Sequence, residues 1–169
     1  MTPVPPAIDG APTAPHVGCG EPVADRIDAA IVMLAREFDD PRASLTLKRW
    51  SGVDVERSGF VLMARIEERP GSHLAHLAEA SGVDVSTASR QMTRLLQEGL
   101  VRRSRDPDEH RARRHVLTAA GERALRRLRA ARRERIERLV ADFSASEQRE
   151  LADLLERFVA AFGERSWTE

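Results

Sequence analysis

Residues 85–97 have the side-chain types and the helical spacing that suit contact with a polyanion. At 100° per residue the apolar side chains fall in one sector of a helix: Val85, Ala88, Met92, Leu95 and Leu96. The opposite sector holds the polar side chains Ser86, Thr87, Arg90, Arg94 and Gln97. Hydroxyls in a first helical turn suit phosphate or base edges, and Arg can grip phosphate or guanine with two parallel hydrogen bonds. The pattern predicts a DNA-contacting helix rather than a solvated helix face. Its contact residues would be Ser86, Thr87, Arg90, Gln91 and Arg94.

An arginine-rich hairpin follows this helix. Residues 100–105 and 114–117 have the pattern of two short strands around residues 106–113, and six Arg lie within the hairpin. These Arg side chains repel one another unless a polyanion lies nearby. The pattern therefore favours contact with phosphates over the alternative, a row of charges that only water surrounds. The predicted contact residues of this ribbon are Arg103, Arg105, Arg111 and Arg113.

Capping signals indicate which elements position these residues. Ser72 is placed to cap a helix over residues 73–81, and Gly82 supplies the turn that follows. Asp84 is placed to cap the next helix, which we expect to end at Glu98 before Gly99. Helix, tight turn, second helix and basic ribbon are the layout of a winged helix-turn-helix. That layout places one helix in the DNA major groove and the ribbon near the backbone or minor groove.

Apolar stripes on both sides of this segment predict further helices. Residues 23–39 carry one stripe, which Asp40-Pro41 ends or kinks, residues 42–53 are ambiguous, and residues 54–68 read as a second helix. Thr118 is placed to cap a long helix reaching about Phe143, and Ser144 with Glu147 forms a capping box before the last helix. These stripes offer more apolar surface than a small DNA-binding domain can cover. They favour a homodimer over an all-helical monomer core.

Charge and composition narrow the classes further. The chain has 169 residues, 41% of them hydrophobic, and 27 basic and 27 acidic side chains. Residues 41–139 hold 22 basic and 13 acidic residues, a net of +9, while the two ends are acidic. A basic middle favours a polyanion partner. No apolar run approaches the ~20 residues that span a bilayer, and the N-terminus lacks the basic start and apolar block of a secretory signal, so we expect a cytoplasmic protein.

The stretch 52–121 resembles the MarR family of bacterial winged-helix regulators. The matching segments are Gly82–Leu95, Glu98–Arg103, Asp106-Pro107, Arg111 and Leu117–Gly121. The family's wing usually carries Asp, one residue and Arg, whereas this chain has Glu109-His110-Arg111, and His115 stands where a branched apolar residue is usual. The resemblance implies that the first and the last two helices form a dimer whose recognition helices address two half-sites of a near-palindrome.

The predicted fold class is mainly α with a small β-wing. The predicted organisation is a disordered Pro-rich arm (1–22), an N-terminal dimerisation region (23–53), the winged helix-turn-helix (54–118) and C-terminal dimerisation helices (119–169). The predicted function is that of a homodimeric transcriptional regulator that binds double-stranded DNA at a specific sequence. Only the family resemblance favours repression over activation. The alternative is a winged-helix protein-interaction module without DNA binding. An enzyme is disfavoured because no nucleophile, base and orienting group stand together, and no cofactor is predicted.

Several weaker signals carry alternatives. His73, His76 and Glu79 share a helix face, but they do not converge as metal ligands must, so no metal is predicted. His110 and His115 flank the wing, and their protonation in mild acid would strengthen DNA contact. Trp50 is a weak candidate for a small aromatic or phenolic ligand, although a core Trp is the simpler reading. Cys19, the single cysteine, is either a redox sensor or an incidental thiol.

Overall fold

A computed structural model describes residues 22–105 and 113–164. The elements are α1 Val23–Asp39, α2 Pro41–Ser51, α3 Arg57–Glu68, α4 Leu74–Ser81, α5 Val85–Gln97, β1 Val101–Arg105, β2 Arg113–Leu117, α6 Ala119–Leu139 and α7 Ala145–Glu164. This mainly helical order with one two-stranded sheet confirms the predicted fold class. Cys19, His110 and Arg111 lie outside the described residues, as does the predicted arm apart from Pro22.

The chain divides into two units between Ala43 and Ser44. Within the first unit, α1 ends where Asp40 takes an extended conformation (φ −64°, ψ 122°) before Pro41, because the proline ring disfavours helical backbone in the residue preceding it. The Asp40 carboxylate then accepts the Arg42 amide at 2.8 Å and so starts α2. The predicted break at this point is confirmed. The apolar stripe of α1 lies exposed within the single chain: Ile27, Ile31, Leu34 and Phe38.

In the second unit, α3, α4, α5, the sheet and the start of α6 enclose one hydrophobic core. We call residues 57–117 the reading head. The largest fully buried side chains come from each of these elements: Leu62, Met63, Ile66, Leu77, Leu95, Val101 and Leu125. Because α5 inserts its apolar face into this core, the packing fixes which side chains of α5 face outward.

The helix-turn-helix forms largely as its local signals predict. Gly82 ends α4 in the left-handed region (φ 62°), and the Asp84 carboxylate accepts the Thr87 amide at 2.8 Å to cap α5. The prediction that Ser72 caps α4 is wrong. His73 occupies the capping position without a side-chain cap, while the Ser72 hydroxyl donates to the Arg69 carbonyl at 2.8 Å. Ser72 instead forms an isolated β-bridge with His115. The helix predicted over residues 54–68 begins later, at Arg57.

The base of the wing, where β1 begins and β2 ends, is joined to the elements on either side of it. β1 and β2 pair antiparallel with Val101 opposite Leu117 and Arg103 opposite His115. Thr118 then caps α6 by accepting the Gly121 amide at 3.0 Å, as predicted, and its own hydroxyl donates to the Gly99 carbonyl at 2.7 Å. α6 ends at Leu139, a turn earlier than predicted.

The predicted capping box before α7 is present. The Glu147 carboxylate accepts the Ser144 amide at 2.7 Å, and the Ser144 hydroxyl accepts the Glu147 amide at 3.3 Å. The two hydrogen bonds satisfy donors that the first turn of a helix otherwise leaves unpaired. Exposed apolar side chains follow along α7: Leu154, Leu155, Phe158 and Val159.

Candidate nucleic-acid interface

The two faces of α5 differ as the sequence predicts except at Val85, which belongs to the apolar sector but is 57% exposed. Ala88, Met92 and Leu95 are buried against the core, whereas Ser86 and Arg90 are exposed and Thr87 is half-buried. Within the described residues, the Arg90 guanidinium has neither a hydrogen bond nor an ion pair. The structure therefore presents a free cation on the exposed face of a helix that a core supports from behind.

Donors in the first turn of α5 are hydrogen-bonded to its own capping residue, Asp84. The Asp84 carboxylate accepts hydrogen bonds from the Ser86 hydroxyl and the Thr87 amide. These hydrogen bonds, led by that of Ser86, hold the pKa of Asp84 well below its usual range. The Thr87 amide is thus already hydrogen-bonded within the protein. The exposed Ser86 hydroxyl already donates its proton within the protein, which leaves it the role of an acceptor.

Gln91 requires a correction. The sequence grouped it with the DNA-contacting residues, but the structure buries it, with 6% of its surface exposed. Its amide donates to the Glu56 carboxylate at 2.6 Å, across from the start of α3. At this position the helical angle lies between the two sectors, and packing of α3 against α5 turns the side chain inward.

Arg94 is half-exposed, but its guanidinium lies among acidic groups. Its Nη1 lies 3.0 Å from a Glu56 oxygen, its Nε 2.9 Å from Glu98, and its Nη2 3.4 Å from Asp54. These partners, Glu98 first, raise the pKa of Arg94 further. No local pattern in the sequence indicates the Glu56 contacts, because they join residues 35 and 38 positions apart.

The wing adds further arginines to the exposed surface of the reading head. Arg102 and Arg103 are exposed on β1, which agrees with the predicted placement of Arg103. Arg105 and Arg113 pair with each other at the open end of the sheet, and only their backbones are described. The predicted contact Arg111 lies beyond the described part of the wing.

His115 is buried at the base of the wing, with 5% of its surface exposed. Its ring Nδ1 has no hydrogen-bond partner among the described residues. Burial, together with the charges of Arg103 and His73, lowers the pKa of His115 despite a hydrogen bond with Ser72. Burial thus opposes the charging of His115 that the sequence-based hypothesis of stronger DNA contact in mild acid requires.

Among the described residues, the structure does not bring the weaker ligand and metal candidates together into a site. The Arg138 guanidinium covers the Trp50 ring at 4.5 Å from its centroid. A separate open cleft of about 600 Å³ lies beside residues 52–54, and Trp50 is not among its lining residues. His73 and His76 meet edge to face, with centroids 6.0 Å apart. In the described ranges no group of three His, Cys, Asp or Glu side chains could hold a metal ion, and no helix there is long and apolar enough to cross a membrane.

Comparison with known proteins assigns this arrangement to a family. The model of the MarR family matches residues 55–112. The HTH-type transcriptional regulator YxaD of Bacillus subtilis (strain 168) is 31% identical over 109 residues, which cover 64% of this chain and 76% of that one. The transcriptional regulator HosA of Escherichia coli O111:H- is 35% identical over 72 residues, 43% of this chain and 53% of that one.

Solved structures agree in fold. A probable transcriptional regulator from Pseudomonas aeruginosa aligns with a TM-score of 0.63 at 28% identity, covering 79% of this chain and 99% of that one. The PcaV transcriptional regulator from Streptomyces coelicolor aligns with a TM-score of 0.60 at 26% identity, covering 80% and 98%. The chain belongs to the MarR family. It is a winged-helix, DNA-binding transcriptional regulator, from a family that is generally non-enzymatic.

Proposed function

We propose that the chain acts as a homodimer that represses transcription from a near-palindromic operator. Each α5 would enter a major groove, and each wing would lie along the adjacent backbone. Bound there, the dimer would occlude the promoter. Because its target is chromosomal DNA, the expected compartment is the cytoplasm.

The observation that carries the DNA-contact proposal is the free guanidinium of Arg90. It projects from the exposed face of α5, where no acidic side chain pairs with it among the described residues. In this position it can reach guanine or phosphate. Arg103 on β1 would supply a phosphate contact, with Arg105, Arg111 and Arg113 farther along the wing. Ser86 and Thr87 would act as acceptors and packing contacts rather than as phosphate donors.

The dimer proposal rests on apolar side chains that one chain leaves in solvent. α1 and α7 each carry an exposed apolar stripe, with Leu34 and Leu154 both 50% exposed. Burial of such stripes against a second copy removes apolar surface from water, at roughly 25 cal/mol per Å². Two linked reading heads also give far more specificity than one half-site does.

Selection of bound sites from a random pool of duplexes tests this proposal most fully. We expect enrichment of an inverted repeat whose half-site centres lie about 10–10.5 base pairs apart, or a multiple of that spacing. A single unrepeated motif would contradict the symmetric dimer. Retention of no duplex even at low salt would favour the alternative, a winged-helix protein-interaction module.

A small aromatic or phenolic ligand would release the operator by shifting the spacing of the two recognition helices. PcaV has been solved in complex with its natural ligand. The cleft beside residues 52–54 falls within the range of about 300–1,000 Å³ typical of ligand sites. Its wall includes Arg123, Arg126 and Arg127, cations that suit an acidic ligand.

A panel of aromatic acids tests the ligand proposal. A regulatory ligand should raise the unfolding temperature of the protein and also lower its affinity for the selected operator. A compound that raises the unfolding temperature without changing DNA affinity would bind without regulating. Trp50→Phe should leave such binding intact if the cleft, rather than Trp50, holds the ligand.

A further inference from the structure

One carboxylate just before the reading head, that of Glu56, accepts hydrogen bonds from two side chains of α5. Glu56, immediately before α3, accepts the Gln91 amide on one oxygen at 2.6 Å and the Arg94 guanidinium on the other at 3.0 Å. We call these three residues the Glu56 clamp. Gln91 and Arg94 are one helical turn apart, so both lie on the same side of α5 and Glu56 contacts them together.

The packing leaves Gln91 little freedom to leave this position. Gly59 lies beneath it, and a Cβ at Gly59 would come within 3.4 Å of the Gln91 side-chain oxygen and 3.0 Å of Val55. The amide therefore occupies space that a glycine provides. Glu56 is thus held toward α5 by a buried hydrogen-bond donor as well as by Arg94.

The surroundings of Arg94 neutralise its charge. Asp54 and Glu98 add two carboxylates to that of Glu56, and the only other cation among their ion pairs in the described chain is Lys48, 2.6 Å from Asp54. In these ion pairs two cations face three carboxylates, while Arg123, Arg126 and Arg127 line the cleft that Asp54 and Glu98 also line. All these side chains are at least one-third exposed, so the pairs contribute little to stability after solvent screening. Their effect falls on the electrostatic potential of the helix surface.

The two successive turns of α5 consequently present different charges to solvent. Arg90 is unpaired within the described residues, whereas Arg94, one turn later, is paired on all three of its nitrogens. A phosphate approaching Arg94 would have to displace carboxylates that already occupy its hydrogen-bond sites and would be repelled by them.

We propose that Glu56 is a positioning residue that withholds Arg94 from DNA phosphates and thereby limits binding to non-operator DNA. The inference rests on the proposed role of α5 in DNA contact. Removal of the Glu56 charge takes away one of the three carboxylates around Arg94 and opens its Nη1 to a phosphate. Each added phosphate contact steepens the dependence of log affinity on log salt by about 0.9. At roughly 0.1 M salt, one such contact raises affinity about five- to tenfold whatever the sequence.

The test compares the full chain with four variants: Glu56→Gln, Glu56→Ala, Arg94→Ala and the double variant Glu56→Gln/Arg94→Ala. Fluorescence anisotropy would measure binding to the selected operator and to a scrambled duplex between about 50 and 200 mM salt. Glu68→Gln is the matched control, because Glu68 is an exposed carboxylate paired with Arg65 on α3 and its loss changes the net charge equally. Thermal unfolding verifies that each variant folds, and Glu56→Gln keeps a hydrogen-bond acceptor for Gln91 if Glu56→Ala does not fold.

We expect Glu56→Gln to bind scrambled duplex about five- to tenfold more tightly with a salt slope steeper by about 0.9, and the double variant to return to the wild-type slope. Arg94→Ala alone should leave the slope unchanged. A wild-type slope that flattens on Arg94→Ala would overturn the inference, since Arg94 would already contact phosphate. The inference would also be overturned if Glu56→Gln bound the scrambled duplex no more tightly than wild type, or if Glu68→Gln gained the same affinity. If the wild type bound neither duplex, the proposed function would fail instead.

Discussion

Leu62 in the reading head and Leu154 in α7 are the same residue type in opposite surroundings. Leu62 is completely buried, whereas half of the Leu154 surface is exposed. The difference extends to their neighbours: the apolar faces of α3 and α5 meet inside one chain, while the stripe of α7 lies in solvent. The reading head therefore carries its own core, whereas the terminal helix α7 lacks a covering surface within the described chain.

The largest effect should come from a cavity in the reading head. Leu62→Ala should lower the free energy of unfolding by about 2–5 kcal/mol, because the packed surroundings cannot collapse onto the space left behind. Urea denaturation at several protein concentrations measures this loss, which should be the same at each concentration. A loss below about 1 kcal/mol would contradict a tightly packed head.

The same substitution in α7 should act through association instead. Full burial of a Leu side chain is worth about 1.5–3 kcal/mol, and a symmetric dimer would lose it twice. We therefore expect Leu154→Ala to raise the dimer dissociation constant at least about tenfold. Sedimentation equilibrium measures this constant. A wild type that stays monomeric at every concentration would contradict association through α7.

Gly121→Ala should disturb the joint between the head and the long helix α6. An added Cβ would lie 2.9 Å from the Leu100 carbonyl carbon and closer still to its oxygen, so backbone would have to move. Overpacking of this kind costs typically about 1–3 kcal/mol, which thermal unfolding would detect. Ala119→Ser, at an exposed position two residues earlier, is the control and should change the unfolding temperature little.

The smallest predicted effect concerns pH. The fold lowers the pKa of His115 from its ordinary value of 6.5, so below that pH the unfolded chain binds more protons than the folded one. Stability should therefore fall as the pH drops from about 7.5 to about 5.5. His115→Val, measured by urea denaturation at both pH values, should reduce that loss. His76→Gln alters an exposed imidazole and should leave the loss intact; an equal reduction by both variants would contradict the assignment.

Local signals made much of this fold predictable. The caps at Asp84 and Thr118 and the box at Ser144 depend on residues three positions apart, so the sequence alone defines their partners. The Glu56 clamp and the burial of His115 were missed because they depend on how distant segments pack. Ser72 was misassigned for the same reason: a bridge to β2 competes with its local capping role. For the candidate interface, the sequence indicated the exposure of Arg90 but not the pairing of Arg94.

The proposed contact of Arg90 with DNA is tested by the operator affinity of the Arg90→Ala variant. Anisotropy titrations would compare this variant with wild type and with Arg65→Ala, which removes a half-exposed cation of α3 that pairs with Glu68. We expect Arg90→Ala to weaken binding by about 1–3 kcal/mol, or about 5- to 140-fold, and Arg65→Ala to weaken it far less. Equal affinities for wild type and Arg90→Ala would contradict the claim.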